Sequence, residues 1–302
     1  MRYVLYNPLA GNGSCEKETR KWIEGMQDVT PVDLHRITSF QAFFDGLERE
    51  DTVVLCGGDG TLNRFANDTK GVDIRNPVYY YAVGSGNDFA RELGKKRGDA
   101  PDFPINGYLK RLPTVSVNGK KHLFINGVGY GIDGYCCEVG DAMREENQRT
   151  HKDKPINYTS IAIKGLLFHY KPTSATVTVD GKEYAFEKVW LAPTMHGKYY
   201  GGGMMPTPAQ DRASDTLSVM VFHDSGKLRT LTIFPSIFKG EHVRHSKYVT
   251  VLEGKEIEIS FDSPRPLQID GETVREVRSY TASVAVSKEA SKEKKENVAL
   301  FV

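Results

Sequence analysis

The sequence has no long hydrophobic segment. Its best candidate, Ile161 to Phe168, is interrupted by Lys164 and Gly165 and is much shorter than the roughly 20 apolar residues of a membrane-spanning helix. The stretch Met1 to Tyr6 also lacks the longer apolar region and the cleavage site of a signal peptide. We therefore expect a cytoplasmic protein without a transmembrane segment.

Cysteine and net charge are also scarce. The 4 cysteines include no C-x-x-C pair, because Cys15 and Cys56 are isolated and Cys136 and Cys137 are adjacent, which argues against zinc and redox chemistry. The 40 Lys and Arg residues nearly balance the 39 Asp and Glu residues, and the formal net charge is +1. This balance gives no reason to expect nucleic acid as a partner. A chain of 302 residues suffices for one large or two ordinary domains.

Glycine, in contrast, is concentrated where predicted strands end. The apolar run Thr52 to Leu55 leads into Cys56-Gly57-Gly58-Asp59-Gly60-Thr61-Leu62-Asn63 and then into a helix-compatible stretch. Residues without Cβ let backbone N–H groups approach an anion closely, and a helix start adds its positive dipole end. The pattern predicts a phosphate-binding loop, and an ordinary strand-to-helix turn is the alternative interpretation.

Two other predicted strands end in similar loops. Arg2 to Tyr6 stops at Asn7-Pro8-Leu9-Ala10-Gly11, and Pro77 to Val83 stops at Gly84-Ser85-Gly86-Asn87-Asp88-Phe89. A further strand is predicted over Val32 to Ile37, followed by a helix over 40–50. Alternating strands and helices predict a doubly wound, Rossmann-like parallel sheet. Such sheets bind ligands at the carboxyl ends of their strands, where these loops would meet.

From about Pro113 the pattern becomes antiparallel β. The runs 114–117 and 176–179 alternate with period two and end in Asn118-Gly119 and Asp180-Gly181, which are strong hairpin signals. Further strands are predicted at 188–192, 217–222, 248–252, 256–261, 267–269 and 283–286, and helices at 134–149, 157–170 and 227–238. We expect an α/β domain over 1–113, a mainly antiparallel β-sandwich over 114–287 and an exposed tail over 288–302 that is able to dock on the first domain.

The three glycine loops, in this order and ahead of an all-β half, resemble the diacylglycerol kinase catalytic family, in particular its soluble bacterial lipid kinases. The resemblance covers nearly the whole chain and includes the segments 124–131, 201–206 and 268–272. It implies a nucleotide-binding domain like that of NAD kinases and phosphofructokinases, with the active site in the cleft before the β-sandwich. ATP and Mg²⁺ are the implied cofactors, because phosphoryl transfer depends mainly on positioning and charge neutralisation.

The resemblance also assigns roles to residues. ATP contacts are expected from the three glycine loops and from Thr38. The residues are Asn7, Pro8, Gly11, Thr38, Gly57, Gly58, Asp59, Gly60, Thr61, Leu62, Asn63, Gly84, Ser85 and Asn87. Asp59 and Asp88 are expected to hold Mg²⁺, and helix capping is the alternative for both. Asp270 or Glu272 is expected to take the proton from the acceptor alcohol. A plain hairpin turn is the alternative there, because Asp180-Gly181-Lys182 has the same turn chemistry.

Two segments depart from the family pattern. The family's structural Mg²⁺ site would here use Asp215, Leu217 and a carbonyl of Arg212, but Thr216 replaces the expected glycine. The strand that enters the second domain, 112–117, carries no carboxylate. These departures suggest a rearranged metal network or low activity.

The sequence therefore predicts a phosphotransferase with an alcohol acceptor, a lipid kinase that converts diacylglycerol or a related lipid to a phosphatidate-like product at the inner membrane surface. Lys95-Lys96-Arg97, Arg91 and Lys164 are candidates for attraction to that surface. The alternatives are a sphingoid base, a ceramide or NAD as acceptor, or a catalytically weak nucleotide- or lipid-sensing protein. The loop 84–89 favours a lipid over NAD, and a homodimer is compatible with the sequence.

Overall fold

The first half of the chain is a parallel sheet between helices. The structure, a computed structural model, describes residues 1–150 and 156–285. The strands are β1 (Arg2–Tyr6), β2 (Val29–Asp33), β3 (Thr52–Gly57) and β4 (Val78–Ala82), in the order β2-β1-β3-β4. The helices are α1 (Cys15–Ile23), α2 (Phe40–Asp45), α3 (Asp59–Asp68), α4 (Asp88–Glu92) and α5 (Asn106–Leu109).

Burial explains why β3 lies in the middle of this sheet. Its residues 53–57 are all buried, as expected for a parallel strand covered on both faces. Leu55 packs with Leu5 and Phe65 in one apolar cluster, whereas Val54 packs with Val4 in a cluster on the opposite face. The loops after β1, β3 and β4 consequently open at one edge of the sheet, as the sequence predicts.

The second half is an antiparallel, sandwich-like assembly. Its strands are β5 (Thr114–Val117), β6 (Lys120–Leu123), β7 (Gly127–Tyr130), β8 (Thr173–Val179), β9 (Lys182–Val189), β10 (Thr194–Met195), β11 (Leu217–Phe222), β12 (Val249–Gly254), β13 (Glu256–Ile269) and β14 (Glu272–Ser283). The order is β12-β11-β10-β7-β13-β14-β5-β6, and β8 pairs with β13 and β9. Register shifts between Ser260 and Leu267 interrupt the β13–β14 pairing, and bulges of this kind bend strands. The predicted fold class is confirmed.

Helices cover one face of this second half. They are α6 (Ile132–Arg149), α7 (Tyr158–Lys164) with a π-helical turn (Gly165–His169), and α8 (Lys227–Ile233) with 3₁₀ turns at Phe234–Lys239 and Glu241–Arg244. Ile132, Leu166, Trp190 and Phe234 belong to the apolar cluster beneath them. No helix in the described part of the chain is both long and apolar enough to cross a bilayer.

Several predicted element boundaries need correction. The strand expected over 32–37 ends at Asp33, because the Asp33 carboxylate accepts the N–H of His35 and starts a 3₁₀ turn. The two segments predicted at 256–261 and 267–269 form one bent strand, β13. Of the strand predicted over 283–286, Ser283 is the last residue of β14, residues 284 and 285 lie in no strand, and residue 286 lies outside the described residues. The predicted tail over 288–302 lies outside the described residues.

Candidate active site

A cavity of about 930 Å³ lies between the two halves of the chain. Its polar part is lined by the glycine loops together with Asp59, Asp88, Asp270 and Glu272. Its apolar part is lined by side chains from the second half, namely Ile132, Cys136, Ala162, Leu191, Met204, Phe234 and Phe238. The volume falls within the range of roughly 300–1,000 Å³ typical of small-molecule sites.

The glycine loops approach each other so closely that larger residues do not fit. A Cβ on Gly58 would lie 2.9 Å from the Cα of Gly84, and a Cβ on Gly57 would lie 2.5 Å from Thr61 Oγ1. A Cβ on Gly60, in contrast, would meet only Glu272 Oε1, at 3.4 Å. Gly60 therefore exposes its backbone to the cavity, at the amino-terminal end of α3, where the helix dipole favours an anion.

Side-chain hydrogen bonds fix the positions of the glycine loops. Asn7 Nδ2 donates to Thr61 Oγ1 at 3.2 Å, which joins the first loop to the central one. Asn87, in the left-handed region with φ 52, accepts from the Gly84 N–H and donates to the Gly84 carbonyl. Arg97 Nη1 donates to the same carbonyl at 3.0 Å.

Most of the predicted ATP-contact residues line the cavity. They are Asn7, Gly11, Gly58, Asp59, Gly60, Thr61, Asn63, Gly84 and Ser85. Five others are absent from the lining, namely Pro8, Thr38, Gly57, Leu62 and Asn87. Leu62 is a buried core residue and Asn87 shapes its own loop, whereas Thr38 is exposed.

Asp59 and Asp88 are neighbours with different surroundings. Both oxygens of Asp59 accept N–H groups at the start of α4, from Asp88 at 2.8 Å and Phe89 at 3.0 Å. Asp88 Oδ2 accepts the Gly202 N–H at 2.7 Å, while its buried Oδ1 has no hydrogen-bond partner among the described residues. Burial, and then the Asp59 charge, raise the pKa of Asp88 to about 7.

These two carboxylates fit a Mg²⁺ ion. Both line the space beside Gly86, where a Cβ would lie 3.2 Å from Asp59 Oδ2 and 3.7 Å from Asp88 Oδ2. Asp88 Oδ1 accepts no hydrogen bond among the described residues, and its ion pair with Arg91 Nε is long, at 3.8 Å. Among the described residues no group of three or more His, Cys, Asp or Glu forms a metal cage. Mg²⁺ commonly binds through one or two carboxylates plus substrate phosphates.

Asp270 is fixed by four donors, whereas the Glu272 side chain makes no hydrogen bond or ion pair with any residue that the structure describes. Asp270 Oδ1 accepts the N–H groups of Asn126 at 2.8 Å and Gly127 at 3.0 Å, and Oδ2 accepts Asn63 Nδ2 at 2.7 Å and the Ile125 N–H. These donors favour the carboxylate, but burial dominates and raises the pKa of Asp270. Glu272 is exposed in the cavity wall opposite Gly60.

The predicted structural Mg²⁺ site does not have suitable surroundings. The Asp215 side chain is 78% exposed and pairs with Arg111 at 2.8 Å, while Leu217 is buried at the start of β11. The carbonyls of Asp211 and Thr216 already accept Gln210 Nε2. Arg212 contributes a buried guanidinium, which repels a cation. The residues therefore do not fit a metal ion at this position.

Two buried polar groups lie where the polar and apolar parts of the cavity meet. Asp133 Oδ2 and the Tyr200 hydroxyl are buried, and their closest polar neighbours among the described residues are each other and the Gln268 amide, at poor hydrogen-bond geometry. Both side chains line the cavity, as does Gln268. Burial raises the pKa of Asp133 to about 6. The sequence analysis did not identify this pair, because no local motif distinguishes the two residues from ordinary core residues.

Fold and site together define a nucleotide-binding-type α/β domain joined to a β-sandwich-like domain across one cleft. The chain belongs to the diacylglycerol kinase catalytic-domain family: residues 2–114 match the diacylglycerol kinase catalytic domain. Residues 127–286 match the YegS C-terminal NAD kinase beta sandwich-like domain. Family membership supports phosphoryl transfer and implies ATP as the donor.

Curated relatives agree with this assignment. A diacylglycerol kinase of Mycobacterium tuberculosis is 27% identical over 253 residues, covering 80% of this chain and 79% of the relative. A diacylglycerol kinase of Bacillus subtilis is 23% identical over 281 residues, covering 89% of this chain and 88% of the relative. These similarities support a lipid kinase activity.

A solved structure shows the same fold. This Bacillus anthracis protein, described as a candidate diacylglycerol kinase, superimposes with a TM-score of 0.65 at 20% identity. The superposition covers 94% of this chain and 92% of that chain. The order of the two domains is therefore shared along nearly the whole length.

Proposed function

We propose that the protein is an ATP-dependent lipid kinase that phosphorylates the hydroxyl of diacylglycerol or a related lipid to a phosphatidate-like product. One observation carries this proposal: the same cavity joins glycine loops and acidic side chains at one end to an apolar chamber at the other. The first end suits a triphosphate and the second suits acyl chains. Reactive groups of donor and acceptor would meet between them.

We propose that the polar end binds ATP through the backbone of Gly58 to Thr61 and through the loops at Asn7 and Ser85. Gly60 leaves room for a phosphate oxygen beside the amino terminus of α3. Asp59 and Asp88 would hold Mg²⁺, which when bound neutralises charge on the phosphates. Asp59 also fixes the start of α4, and this orients Asp88.

We propose that Glu272 accepts the proton of the lipid hydroxyl and that Asp270 holds the turn that carries Glu272 in position. Each oxygen of Asp270 already accepts two N–H groups, so neither has a lone pair directed at the cavity. The Asp180 turn supports this division of roles. Asp180 has the same φ of 47 and its carboxylate also accepts backbone N–H groups, from Lys255 and Glu256. The residue that corresponds to Glu272 there is Lys182, so that turn has no second carboxylate.

Asp133 supports a second class of acceptor. A buried carboxylate oxygen that Tyr200 and Gln268 approach only at poor hydrogen-bond geometry suits a lipid that carries an N–H or a second O–H beside the phosphorylated hydroxyl. Ceramides and sphingoid bases have such donors, whereas the two esters of diacylglycerol only accept. If this class is correct, Asp133→Asn lowers the activity on N–H-bearing lipids more than the activity on diacylglycerol.

The surface of the helices beside the chamber suits an anionic membrane. Segments 156–171 and 226–240 contain no Asp or Glu but five cationic residues, namely Lys164, Lys171, Lys227, Arg229 and Lys239. Phe168 is 72% exposed and Leu228 80% exposed on this surface, and Lys227 Nζ donates to the Leu167 carbonyl. Phe238, which lines the cavity, is also partly exposed here. Basic residues and apolar side chains together favour binding to anionic lipid.

The basic stretch Lys95-Lys96-Arg97, predicted as a membrane contact, is less suitable. Lys95 pairs with Asp102, and Arg97 pairs with Glu18. Local acidic partners cancel most of its positive charge.

Transfer of labelled phosphate from ATP to a panel of lipids tests the proposal. The panel contains diacylglycerol, monoacylglycerol, ceramide and a sphingoid base in mixed micelles, each with and without Mg²⁺. We expect Mg²⁺-dependent labelling of at least one lipid. Binding of ATP without labelling of any lipid would support the alternative of a nucleotide-sensing protein and contradict the kinase proposal.

A further inference from the structure

A buried ion pair lies at the junction of the two domains, next to the place where the structural metal was expected. Arg212 Nη2 lies 2.7 Å from Glu92 Oε2, and both side chains are almost fully buried. Glu92 is the last residue of α4, the helix that begins with Asp88. One partner therefore belongs to the nucleotide-binding-type domain and the other to the β domain.

Arg212 also donates to the segment that holds the acidic turn. Its Nη1 donates to the Ile125 carbonyl, and its Nη2 donates to Asn126 Oδ1 at 2.8 Å. The N–H groups of the same segment, Ile125 to Gly127, donate to Asp270. The guanidinium also lies over the Phe89 ring, 5.0 Å from its centroid.

The surroundings leave no room for another group. A Cβ on Gly197 would lie 2.0 Å from Arg212 Nη2 and 2.7 Å from Glu92 Oε2. Burial and the Arg212 charge lower the pKa of His196 to about 3. His196 is therefore neutral at working pH, and Glu92 is the carboxylate that balances Arg212.

We infer that Arg212 is a positioning residue whose guanidinium has the structural role that a bound metal cation was expected to have here. Through Glu92 it holds α4, the helix that begins with Asp88. Through the backbone of 125–127 it holds the Asp270–Glu272 turn. It thereby fixes the distance between Asp88 and this turn. A planar guanidinium suits this task because it can bind acceptors on two domains at once in a fixed geometry. The inference rests on the proposed function, since it concerns how the two halves of that site are aligned.

Two readouts test the inference in the full chain, with Arg212→Met as the main variant. The first is amide hydrogen exchange at 125–127, which we expect to become faster by about tenfold when the segment loses its partner. The second is steady-state kinetics with ATP and the best lipid of the panel. Misalignment of the two halves should lower kcat by about 100-fold with little change in the KM for ATP. Arg212→Lys should recover only part of the loss, because an ammonium lacks the fork of donors.

Arg111→Met is the matched control, because Arg111 pairs with Asp215 at the surface. It should change neither readout. The double variant Glu92→Met, Arg212→Met removes both charges, so it should regain thermal stability without regaining slow exchange or kcat. If Arg212→Met exchanges and turns over like the control, or if the double variant regains kcat together with stability, the inference is wrong. If the wild type labels no lipid, the proposed function fails, and the exchange comparison alone decides the role of Arg212.

Discussion

Replacing Asp88 by asparagine should stabilise the protein while abolishing phosphoryl transfer. Asp88 is buried beside Asp59, and its pKa is raised from 3.8 to about 7. The folded state therefore binds a proton more tightly than the unfolded chain does. Such a group favours folding below its unfolded pKa, and this contribution is lost as pH rises towards the folded pKa.

The size of the effect follows from the pKa difference. A shift from 3.8 to about 7 corresponds to about 4 kcal/mol of unfolding free energy at pH 8 and about 2 kcal/mol at pH 5. The amide side chain of the Asp88→Asn variant is neutral at both pH values and can still accept the Gly202 N–H, so it avoids this penalty. We therefore expect Asp88→Asn to be more stable than the wild type by these amounts.

Urea unfolding at pH 5 and pH 8 measures the difference. Asp73→Asn is the control, because Asp73 is an exposed partner of Arg75 and should change stability by less than about 0.5 kcal/mol. Mg²⁺ should raise the stability of the wild type but not that of Asp88→Asn. An Asp88→Asn variant that is less stable at pH 8, or whose advantage does not grow with pH, would refute the reasoning.

Three other perturbations test separate parts of the site. Gly60→Val should keep the fold but prevent ATP binding in calorimetry, since the valine side chain would project into the cavity. Gly107→Val is the control and should bind ATP normally, because a Cβ at Gly107 would have no neighbour within 4 Å. Glu272→Gln should lower kcat by about 10² to 10⁴; an unchanged kcat would exclude Glu272 as the base. Leu228→Ser should weaken the sedimentation of the protein with anionic vesicles. Val251→Ser should not, because Val251 is also exposed but lies on β12. An equal loss of sedimentation in both variants would contradict the proposed membrane surface.

Local patterns in the sequence predict a large part of the fold. The β-branched run before Gly57, followed by a glycine turn and a helix, identifies β3 and α3 because strand, turn and helix are contiguous. The hairpins at Asn118 and Asp180 are predicted for the same reason, and both residues adopt the left-handed conformation that such turns require.

Contacts between distant residues could not be predicted in this way. Arg212 bonds Glu92 and Ile125, which are 120 and 87 residues away, and no periodicity connects them. All four donors to Asp270 likewise lie more than 140 residues away from it in the sequence. The sequence therefore identified the Asp-Gly-Glu turn but left the roles of its two acids open.

The most direct test of the account is whether the γ-phosphate of ATP reaches a lipid hydroxyl in this cleft. Wild type and Gly60→Val are incubated with labelled ATP, Mg²⁺ and lipid micelles, and the lipid fraction is counted. The account predicts labelled lipid with the wild type and none with the folded Gly60→Val variant. Equal labelling by both proteins, or label found only in inorganic phosphate, would contradict it.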